Sequence, residues 1–401
     1  MHETSPFTSR PAADRCPGVL RLAEAADGLL ARVRLPGGLI DAAQLRVLAR
    51  LAGELGDGRI ELTSRGNVQV RGLAAGAASP LTSELIQAGL LPSLSHDRVR
   101  NVLASPLAGL DRGPDLTGVV RALDAALCVR PRLAELSGRF LFAVDDGRGD
   151  VAGLGADVVA TIRTDGAVVN GLSVRGLRDA VVAAMIACAE AFLDRRAALG
   201  SSAWRIADLP GGAEPVRSVV AARLGLAAAQ GEPIAGTPDA RAAARPVGLV
   251  VRQETGGGAE SAASVRDDPG FSAVLLAPLG RLTSAQVSWV ADRVAGRAAR
   301  ITPWRSVVLP DLVDAAGVLR EAAGLGFGTD EASPWLRVTA CAGRPGCASA
   351  LADVQADAAA FAARWPGRLV HVSGCARHCG RPAATEIDVT ATSEGYQVAG
   401  V

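Results

Sequence analysis

The same order of apolar and polar positions occurs twice along the chain. In each copy, a strand-like run leads into a helical pattern and then into a further strand-like run. These runs lie at 28–38, 41–55 and 60–70 in the first copy and at 271–278, 284–294 and 300–309 in the second. Gln44 and Gln286 occupy the same helical place, and Thr63 and Thr302 share a place in the strand that follows. Two strands around one helix in each copy predict paired α+β half-domains that bury a shared sheet.

The segment between the two copies has a pattern of its own. It contains an arginine-rich stretch, an alternating strand and a helical run, at 96–106, 138–144 and 172–195. A stretch rich in Gly, Pro and Ala at 230–246 predicts a linker, and the three glycines at 256–258 predict a flexible loop in the second copy. The predicted order is a first half-domain, an α/β domain, a linker, a second half-domain and a C-terminal domain, at 1–80, 81–230, 231–246, 247–312 and 313–401.

Four cysteines near the C-terminus form two pairs with the spacings C-x5-C and C-x3-C. They are Cys341, Cys347, Cys375 and Cys379. Each pair follows a strand-like run, at 335–339 and 369–373, and an alanine-rich helical stretch at 348–363 lies between them. Two parallel strands would bring both pairs to one edge of a sheet. The cationic side chains nearby are Arg344, Arg377 and Arg381. We interpret the four cysteines as the ligands of one iron-sulfur cluster.

Other roles for the cysteines fit the sequence less well. Two disulfides would require an oxidising compartment, whereas residues 1–17 are polar and lack the apolar core of a signal peptide. Structural zinc remains an alternative because C-x3-C is a common zinc spacing, although C-x5-C is wider than usual. Unligated core cysteines are a further alternative. Cys16, Cys128 and Cys188 are isolated, and the last two lie in apolar helical runs that are typical of a core.

Composition and charge narrow the classes of protein. A chain of 401 residues with 49% hydrophobic content predicts two to four domains with large cores. Because 42 Lys and Arg balance 41 Asp and Glu, no basic stripe indicates nucleic acid. The longest apolar stretch, 180–193, contains Glu190 and is too short to span a bilayer. We therefore expect a soluble cytoplasmic protein with neither a nucleic-acid nor a membrane partner.

Four features in the same order resemble the nitrite and sulfite reductase superfamily over nearly the whole chain. They are the tandem half-domains, the Thr-Ser-Arg-Gly-Asn-Val-Gln stretch at 63–69, the Arg-Asn-Val to Pro stretch at 100–106, and the paired cysteine spacings. The resemblance implies an α+β fold. It has tandem ferredoxin-like half-domain repeats plus two α/β domains around a central tetrapyrrole cavity. The resemblance also implies a [4Fe-4S] cluster beside the tetrapyrrole.

In that superfamily, arginines from both repeats and the central segment bind the carboxylates of the tetrapyrrole. A guanidinium suits this role because it forms bidentate bonds to a carboxylate and keeps its charge when partly buried. The resemblance implies this role for Arg65, Arg71, Arg98, Arg100, Arg139 and Arg305. The ordinary alternative is solvated surface arginines. Asn67 and Asn101 are expected either to orient an acid group or to cap turns.

One departure from the superfamily pattern indicates a branch. Sulfite and nitrite reductases resemble one another in a Lys-x-Lys pair on the strand that corresponds to 139–141, and the second position here is Leu141. Reduction of an anion needs fixed positive charge and proton donors, so the leucine disfavours that reaction. The run at 142–147 is similar instead to the precorrin-3B synthase family of aerobic cobalamin biosynthesis.

That resemblance implies precorrin-3A as substrate and O2 as oxidant. The family reaction hydroxylates C20 and closes a lactone from a ring A acetate. Electrons derived from NADH would come from an electron-donor protein or an NADH-linked reductase and pass through the cluster. Two alternatives remain open. A sirohaem-containing sulfite or nitrite reductase would have Cys379 bridging cluster and haem, and a non-catalytic tetrapyrrole or cluster carrier would not consume O2.

The resemblance also implies a mononuclear non-haem iron. Such a site commonly uses two histidines and a carboxylate, and the chain has four histidines. His96 with Asp97 is the candidate pair, although a cap is the ordinary role of such residues. His2 lies in an N-terminal tail, His371 is expected to be structural, and His378 is expected to donate to a cluster sulfur.

Overall fold

The computed structural model describes residues 14–111, 113–176, 178–229, 246–251, 270–294 and 296–400. The chain divides into two compact units. The first comprises Met1–Pro17, Pro92–Gly109 and Gly113–Ala244, and the second comprises Gly18–Leu91, Leu110–Arg112 and Arg245–Val401. Nearly all of the predicted linker at 230–246, and the glycine loop at 256–258, lie outside the described residues. The boundaries between the five predicted segments remain a prediction.

Both units contain helices and strands. The strands are β1 Ala23–Ala25, β2 Gly28–Val33, β3 Leu39–Ile40, β4 Arg59–Leu62, β5 Val68–Leu73, β6 Val102–Ala104, β7 Phe142–Asp145, β8 Val158–Arg163, β9 Gly166–Val169, β10 Leu172–Arg175, β11 Gly248–Val251, β12 Phe271–Leu276, β13 Arg281–Thr283, β14 Ala299–Ile301, β15 Ser306–Leu312, β16 Val338–Ala340, β17 Val370–Ser373, β18 Ile387–Thr392 and β19 Gly395–Ala399. The α-helices are α1 Ala42–Leu55, α2 Ala78–Gln87, α3 Thr117–Cys128, α4 Arg178–Ala198, α5 Glu214–Leu224, α6 Ser284–Ala291, α7 Ala315–Gly324 and α8 Val354–Arg364. Among the helices of these described stretches, none is both long and apolar enough to cross a membrane.

The two repeat copies form two antiparallel sheets in the second unit. Their strand orders are β1-β2-β5-β4-β13 and β11-β12-β15-β14-β3. Each sheet therefore takes one short strand from the other copy, and α1 packs against α6. Leu48 and Ile60 from the first copy share one buried cluster with Val287 and Val307 from the second. The predicted α+β half-domains are confirmed, but the predicted shared sheet was wrong, because the copies form two sheets that share one buried cluster.

The predicted number of strands per copy was wrong. The runs at 60–70 and 300–309 each fold into a hairpin, as β4 with β5 and as β14 with β15. A tight turn divides each run. The Thr63 N–H donates to the Asn67 carbonyl oxygen, and the Thr302 N–H donates to the Ser306 carbonyl oxygen, both at 2.9 Å. A strand-like pattern cannot reveal such a turn because the apolar alternation continues on both sides of it.

The predicted equivalence of two glutamines is confirmed at atomic detail. Gln44 and Gln286 each complete a reciprocal cap at the start of a helix, with Asp41 and with Thr283. The side-chain amide of Gln44 also donates to the Ala88 carbonyl oxygen at 3.1 Å, and that of Gln286 to the Leu325 carbonyl oxygen at 2.8 Å. Each glutamine thus joins a helix start to the end of the next helix in its copy.

The first unit is built on a mixed sheet with the strand order β10-β9-β8-β7-β6. β6, β7 and β8 are parallel, and the remaining pairs are antiparallel. The alternation expected at 138–144 was wrong, because every residue of β7 is buried, as in a parallel strand covered on both faces. The helix expected at 172–195 was wrong at its start, because β10 occupies Leu172–Arg175 and α4 begins at Arg178.

A small sheet ends the second unit. β16, β17 and β18 are parallel, and β19 is antiparallel to β18. Val354, Ala358 and Ala362 of α8 share a buried cluster with the valines of β16 and β17. The predicted pair of parallel strands before the cysteines is confirmed. The helix between them starts at Val354 rather than 348, where Asp353 caps the N–H of Ala356.

Candidate functional site

The two cysteine pairs follow two neighbouring parallel strands. Cys341 comes directly after β16, and its N–H donates to the Val372 carbonyl oxygen of β17 at 3.0 Å. The N–H of Gly374, just after β17, donates to the Cys341 sulfur at 3.1 Å. A Cβ atom at Gly374 would lie 2.8 Å from the Ala350 Cβ, so only glycine fits there. A backbone N–H directed at sulfur is a contact that a metal-bound sulfur can accept.

The zinc alternative requires sulfur atoms that lie close together. Among the residues that the structure describes, the only three Cys, His, Asp or Glu side chains with ligand atoms within 4.8 Å of one another are Asp145, Asp146 and Asp150. A tetrahedral zinc ion with bonds of about 2.3 Å holds its sulfurs about 3.8 Å apart. A four-iron cluster binds each thiolate through a different iron, so it requires wider spacing. The described residues therefore show no group of three sulfurs as close together as a zinc site requires.

Two buried polar atoms near these cysteines have no hydrogen-bond partner among the described residues. They are Ser373 Oγ and Gln355 Oε1. His371 and Ser373 are fully buried and lie on the same face of β17, whereas the amide nitrogen of Gln355 donates to the Cys341 carbonyl oxygen. Native proteins leave few buried polar atoms unsatisfied, and such atoms call for an explanation such as a ligand.

The two histidines near the cysteines differ in their contacts. His371 Nδ1 lies 2.8 Å from Thr339 Oγ1. Burial lowers the pKa of His371 to about 4, and the Asp388 carboxylate only partly opposes this. The ring is therefore neutral at neutral pH. His378 Nδ1 lies 3.1 Å from the Asp388 carboxylate, which also accepts from Arg381 Nε at 3.1 Å.

In the second unit, Arg65 and Arg305 lie in the two repeat-related turns at 63–67 and 302–306. The hydroxyl oxygen of Thr63 accepts the Arg65 N–H, and that of Thr302 accepts the Trp304 N–H. Arg65 therefore corresponds to Trp304, while Arg305 corresponds to Gly66 and shares its left-handed φ, 62° against 64°. Each repeat thus places its arginine at a different position of an equivalent turn.

The other two predicted residues of the second unit have structural contacts. The side-chain oxygen of Asn67, 1% exposed, accepts the Leu35 N–H at 2.9 Å. Arg71 makes a bidentate pair with Asp27, and both N···O distances are 3.0 Å. The contact of Asn67 fits the alternative in which it stabilises a turn. The guanidinium of Arg71 pairs with a carboxylate of the protein itself.

In the first unit, Arg100 and Asn101 are also engaged with the protein. Arg100 is 4% exposed and makes a bidentate pair with Asp124, and both N···O distances are 2.7 Å. Burial is the largest single influence and disfavours the charge of Arg100, but the hydrogen bond and charge of Asp124 together with the other nearby anionic groups outweigh it and raise the arginine pKa. The Asn101 amide donates to three backbone carbonyls, including those of Arg98 and Gly138.

The remaining predicted arginines of the first unit are more accessible. Arg98 Nη1 contacts the Asp14 carboxylate at 3.3 Å, and its side chain is 29% exposed. Arg139 is exposed, and its guanidinium lies 5.0 Å from the centre of the Trp204 ring. An arginine stacked on an aromatic ring keeps its donors directed outward, which suits it to bind an acid group.

His96 is held by hydrogen bonds on both ring nitrogens. Nε2 lies 3.0 Å from the Arg130 carbonyl oxygen, while Nδ1 lies 2.8 Å from Ser93 Oγ and 3.0 Å from Ser95 Oγ. Because a carbonyl only accepts, Nε2 carries the proton and Nδ1 accepts from a serine. The ring is 1% exposed. The contacts give His96 a structural role, and Asp97 beside it is also buried.

Leu141 lies in an apolar cluster of the first unit. It is 3% exposed and packs with Leu103, Ala143 and Val151. Its N–H donates to Asp157 Oδ2 at 2.9 Å. A lysine at this position would place a charge among apolar side chains, at a cost of several kcal/mol if it had no partner.

Arg34 was not singled out from the sequence, although it is 2% exposed and follows β2. The N–H of its neighbour Leu35 donates to the side-chain oxygen of Asn67. The available signal was the alternation of Arg32 and Arg34, which places two arginines on one side of a strand. Arg34 is therefore a further buried cation of the second unit.

The fold and the half-domain define the class of protein. Residues 22–88 match the family model described as the nitrite/sulfite reductase ferredoxin-like half domain. The structure of Mycobacterium tuberculosis NirA protein aligns with a TM-score of 0.67 and 19% identity, over 92% of this chain and 73% of that chain. The predicted α+β fold of the nitrite and sulfite reductases is confirmed.

One relative is similar to this chain over nearly its whole length. Precorrin-3B synthase of Sinorhizobium sp is 29% identical over 95% of this chain and 81% of the relative. Ferredoxin–nitrite reductase of Leptolyngbya laminosa is 38% identical, but over 22% of this chain and 18% of the relative. The resemblance to precorrin-3B synthase within the nitrite and sulfite reductase superfamily is therefore confirmed.

Proposed function

We propose that this chain is a monooxygenase that hydroxylates C20 of precorrin-3A, with lactone formation, in aerobic cobalamin biosynthesis. The observation that carries the proposal is the extent of the likeness. It covers 95% of the chain for precorrin-3B synthase and 22% for the nitrite reductase of Leptolyngbya laminosa. The buried apolar position of Leu141 supports the same choice, because anion reduction needs fixed charge near the substrate.

A [4Fe-4S] cluster fits the cysteine segment of the second unit. The donor set has the right chemistry, and two buried polar atoms near it, Ser373 Oγ and Gln355 Oε1, lack partners among the described residues. We assign Cys341, Cys347, Cys375 and Cys379 as its ligands. When bound, the cluster supplies single electrons. The protein holds the thiolates and directs the Gly374 N–H at the Cys341 sulfur.

The carboxylates of precorrin-3A require cationic partners. In the second unit we propose Arg65 and Arg305, which lie in the equivalent turns. In the first unit we propose Arg139 and Arg98, whose side chains are accessible. Arg71, Arg100, Asn67 and Asn101 are not assigned to the substrate, because aspartates or backbone groups already occupy their polar atoms.

A mononuclear iron does not fit the pair His96 and Asp97. Both nitrogens of His96 are already engaged, so ligation would break at least one hydrogen bond at a buried site. His371, His378 and Asp388 offer two imidazoles and a carboxylate. His378 contacts Asp388 at 3.1 Å, but the three groups together do not place their ligand atoms within 4.8 Å of one another in the described residues. No step is therefore derived through such an iron.

The proposed reaction balances with an external reductant. One oxygen atom of O2 enters the macrocycle at C20, and the other leaves as water, which consumes two electrons and two protons. We propose that the electrons come from NADH through an electron-donor protein or a linked reductase. The ring A acetate then closes the lactone, and its carboxylate must be held while the macrocycle is oxidised.

The first experiment is an optical spectrum of anaerobically purified protein with iron and sulfide counted and any tetrapyrrole extracted. We expect a broad cluster absorption without an extractable macrocycle, and O2 uptake when precorrin-3A and a reductant are added. Strong sirohaem bands would favour a reductase. Bound precorrin without O2 uptake would favour a carrier.

Two cysteine variants test the ligand assignment. Cys347→Ala is expected to lose the cluster absorption and its iron and sulfide, because three thiolates hold the cluster less well. Cys188→Ala is the matched control, since Cys188 is fully buried in α4 of the first unit. Equal iron and sulfide content in the two variants would remove Cys347 from the ligand set.

A further inference from the structure

A buried ion pair of the first repeat contacts the cysteine segment. Arg71 lies in β5, and Asp27 lies in the turn between β1 and β2. Arg71 Nε and Nη2 each lie 3.0 Å from one oxygen of the Asp27 carboxylate. The side chains are 9% and 12% exposed. A bidentate pair that is so well covered has a defined geometry as well as a charge interaction.

The same guanidinium makes a third hydrogen bond, to the backbone of the cysteine segment. Arg71 Nη2 donates to the Gly346 carbonyl oxygen at 3.1 Å. Gly346 directly precedes Cys347. A Cβ atom at Gly346 would lie 2.9 Å from Arg71 Nη2 and 3.3 Å from the Asp27 carboxylate. The glycine therefore lets the backbone approach the ion pair closely.

The local backbone explains why Arg71 reaches this position. The register between β2 and β5 shifts between Leu29 and Ala31, which marks a bulge opposite Arg71 and Gly72. Gly72 has a left-handed φ of 67°, and a Cβ there would meet Asp57 at 3.0 Å. A bulge redirects a side chain from the regular face of a strand.

The surroundings of Arg71 maintain its charge. Glu61 Oε2 lies 3.8 Å from Arg71 Nη1, and Glu61 also pairs with Arg281 at 2.6 Å. Burial disfavours the charge of Arg71, but Asp27 and Glu61 outweigh it and raise the arginine pKa. The guanidinium therefore stays charged and keeps its donors on Asp27 and Gly346.

We propose that Arg71, oriented by Asp27, is a positioning residue that holds the Gly346 backbone and so fixes how Cys347 is presented to the cluster. The inference rests on the proposed cluster. It assigns Arg71 a role different from the one implied by the resemblance, which was to bind a tetrapyrrole carboxylate. Loss of Arg71 leaves all four thiolates in the chain but removes the contact that orders one of them.

The test compares Arg71→Lys with Arg100→Lys in the full-length protein. Both arginines form buried bidentate pairs with an aspartate, so both variants lose a fork of two hydrogen bonds. The measurements are iron and sulfide per chain, the rate at which a chelator removes iron, and the midpoint potential of the cluster. We expect iron release from Arg71→Lys to be about 10-fold faster, with a shifted potential, and release from Arg100→Lys to match the parent protein.

Gly346→Ala provides a second variant that keeps the ion pair. Its added methyl group would displace the Arg71 contact, so it should reproduce the faster iron release while the guanidinium of Arg71 is still present. Reduced folding stability alone would affect Arg71→Lys and Arg100→Lys alike. Parent-like release and potential in both Arg71→Lys and Gly346→Ala would overturn the inference. A parent protein without iron and sulfide would instead overturn the proposed cluster.

Discussion

Two regions of the molecule place polar residues at the ends of a pair of parallel strands. In one region the polar groups find hydrogen-bond partners within their own segment, and in the other some of them do not. After β6 and β7 in the first unit, Ser105, Asp145 and Asp150 bond to groups of their own segment. After β16 and β17 in the second unit, the cysteine segment lies beside polar atoms with no partner among the described residues, such as Ser373 Oγ. The same topology thus supports a self-contained turn in one unit and a candidate ligand site in the other.

The network in the first unit is closed by its own backbone. The Asp145 carboxylate accepts four N–H groups, from Gly147 and Gly149 at 2.9 Å and from Val151 and Ala152 at 3.1 Å. Arg148 pairs with Asp146 at 2.6 Å. Three carboxylates therefore come close together without indicating a metal, because N–H groups and a guanidinium already neutralise them.

The strongest test of this comparison is Asp145→Ala. Removal of the carboxylate leaves four N–H groups of a partly buried turn without their acceptor, so the free energy of unfolding should fall by about 3 kcal/mol or more. Urea denaturation measures the change. Asp165→Ala, at an exposed position, is the control and should change stability by less than about 0.5 kcal/mol. A loss at Asp145 no larger than the control would show that the network does not stabilise the unit.

Asp150→Asn tests the carboxyl group of the network whose pKa is raised by burial. Burial raises the pKa of Asp150 to about 7, although the Ser105 hydroxyl opposes the shift. The unfolded carboxyl ionises near about pH 4, whereas the folded one retains its proton to about pH 7. Stability from this group is therefore greatest at low pH and falls as pH rises from about 4 to about 7.

Asp150→Asn removes this titration. Relative to the parent protein, the variant should become more stable by about 2 kcal/mol between about pH 5 and about pH 8. Unfolding free energies at several pH values give the result. Parallel pH profiles for the two proteins would contradict the raised pKa.

The smallest expected effect on stability comes from a comparison of one serine in each region, Ser373 and Ser105. Ser373→Ala removes a hydroxyl without a hydrogen-bond partner among the described residues, so the cluster-free protein should be unchanged or more stable by about 0.5 kcal/mol. Ser105→Ala removes a hydroxyl that donates to Asp150 at 2.6 Å and accepts the Asp146 N–H at 3.1 Å. It should cost about 1–2 kcal/mol. Equal losses of folding stability in the two variants, measured by thermal unfolding, would contradict the proposed difference between the regions.

Several elements were predictable because they depend on local patterns. The helical repeat, the capping glutamines Gln44 and Gln286, and the parallel strands before the cysteines follow from periodicity and from cap chemistry within a few residues. The hairpins at 60–70 and 300–309 were missed. Their dividing turns depend on hydrogen bonds within an otherwise strand-like run.

The chain by itself determined which residues carry charge and sulfur, and therefore the kinds of chemistry available. Only the tertiary structure decided which partners they have. Arg71 and Arg100 look like free cations in the sequence, yet aspartates 44 and 24 positions away neutralise them. In the sequence His96 looks like a metal ligand. In the structure the Arg130 carbonyl oxygen and two serine hydroxyls form hydrogen bonds with its ring nitrogens. A polar side chain is available to a ligand only if folding brings no better partner within hydrogen-bond distance, and that depends on contacts distant in sequence.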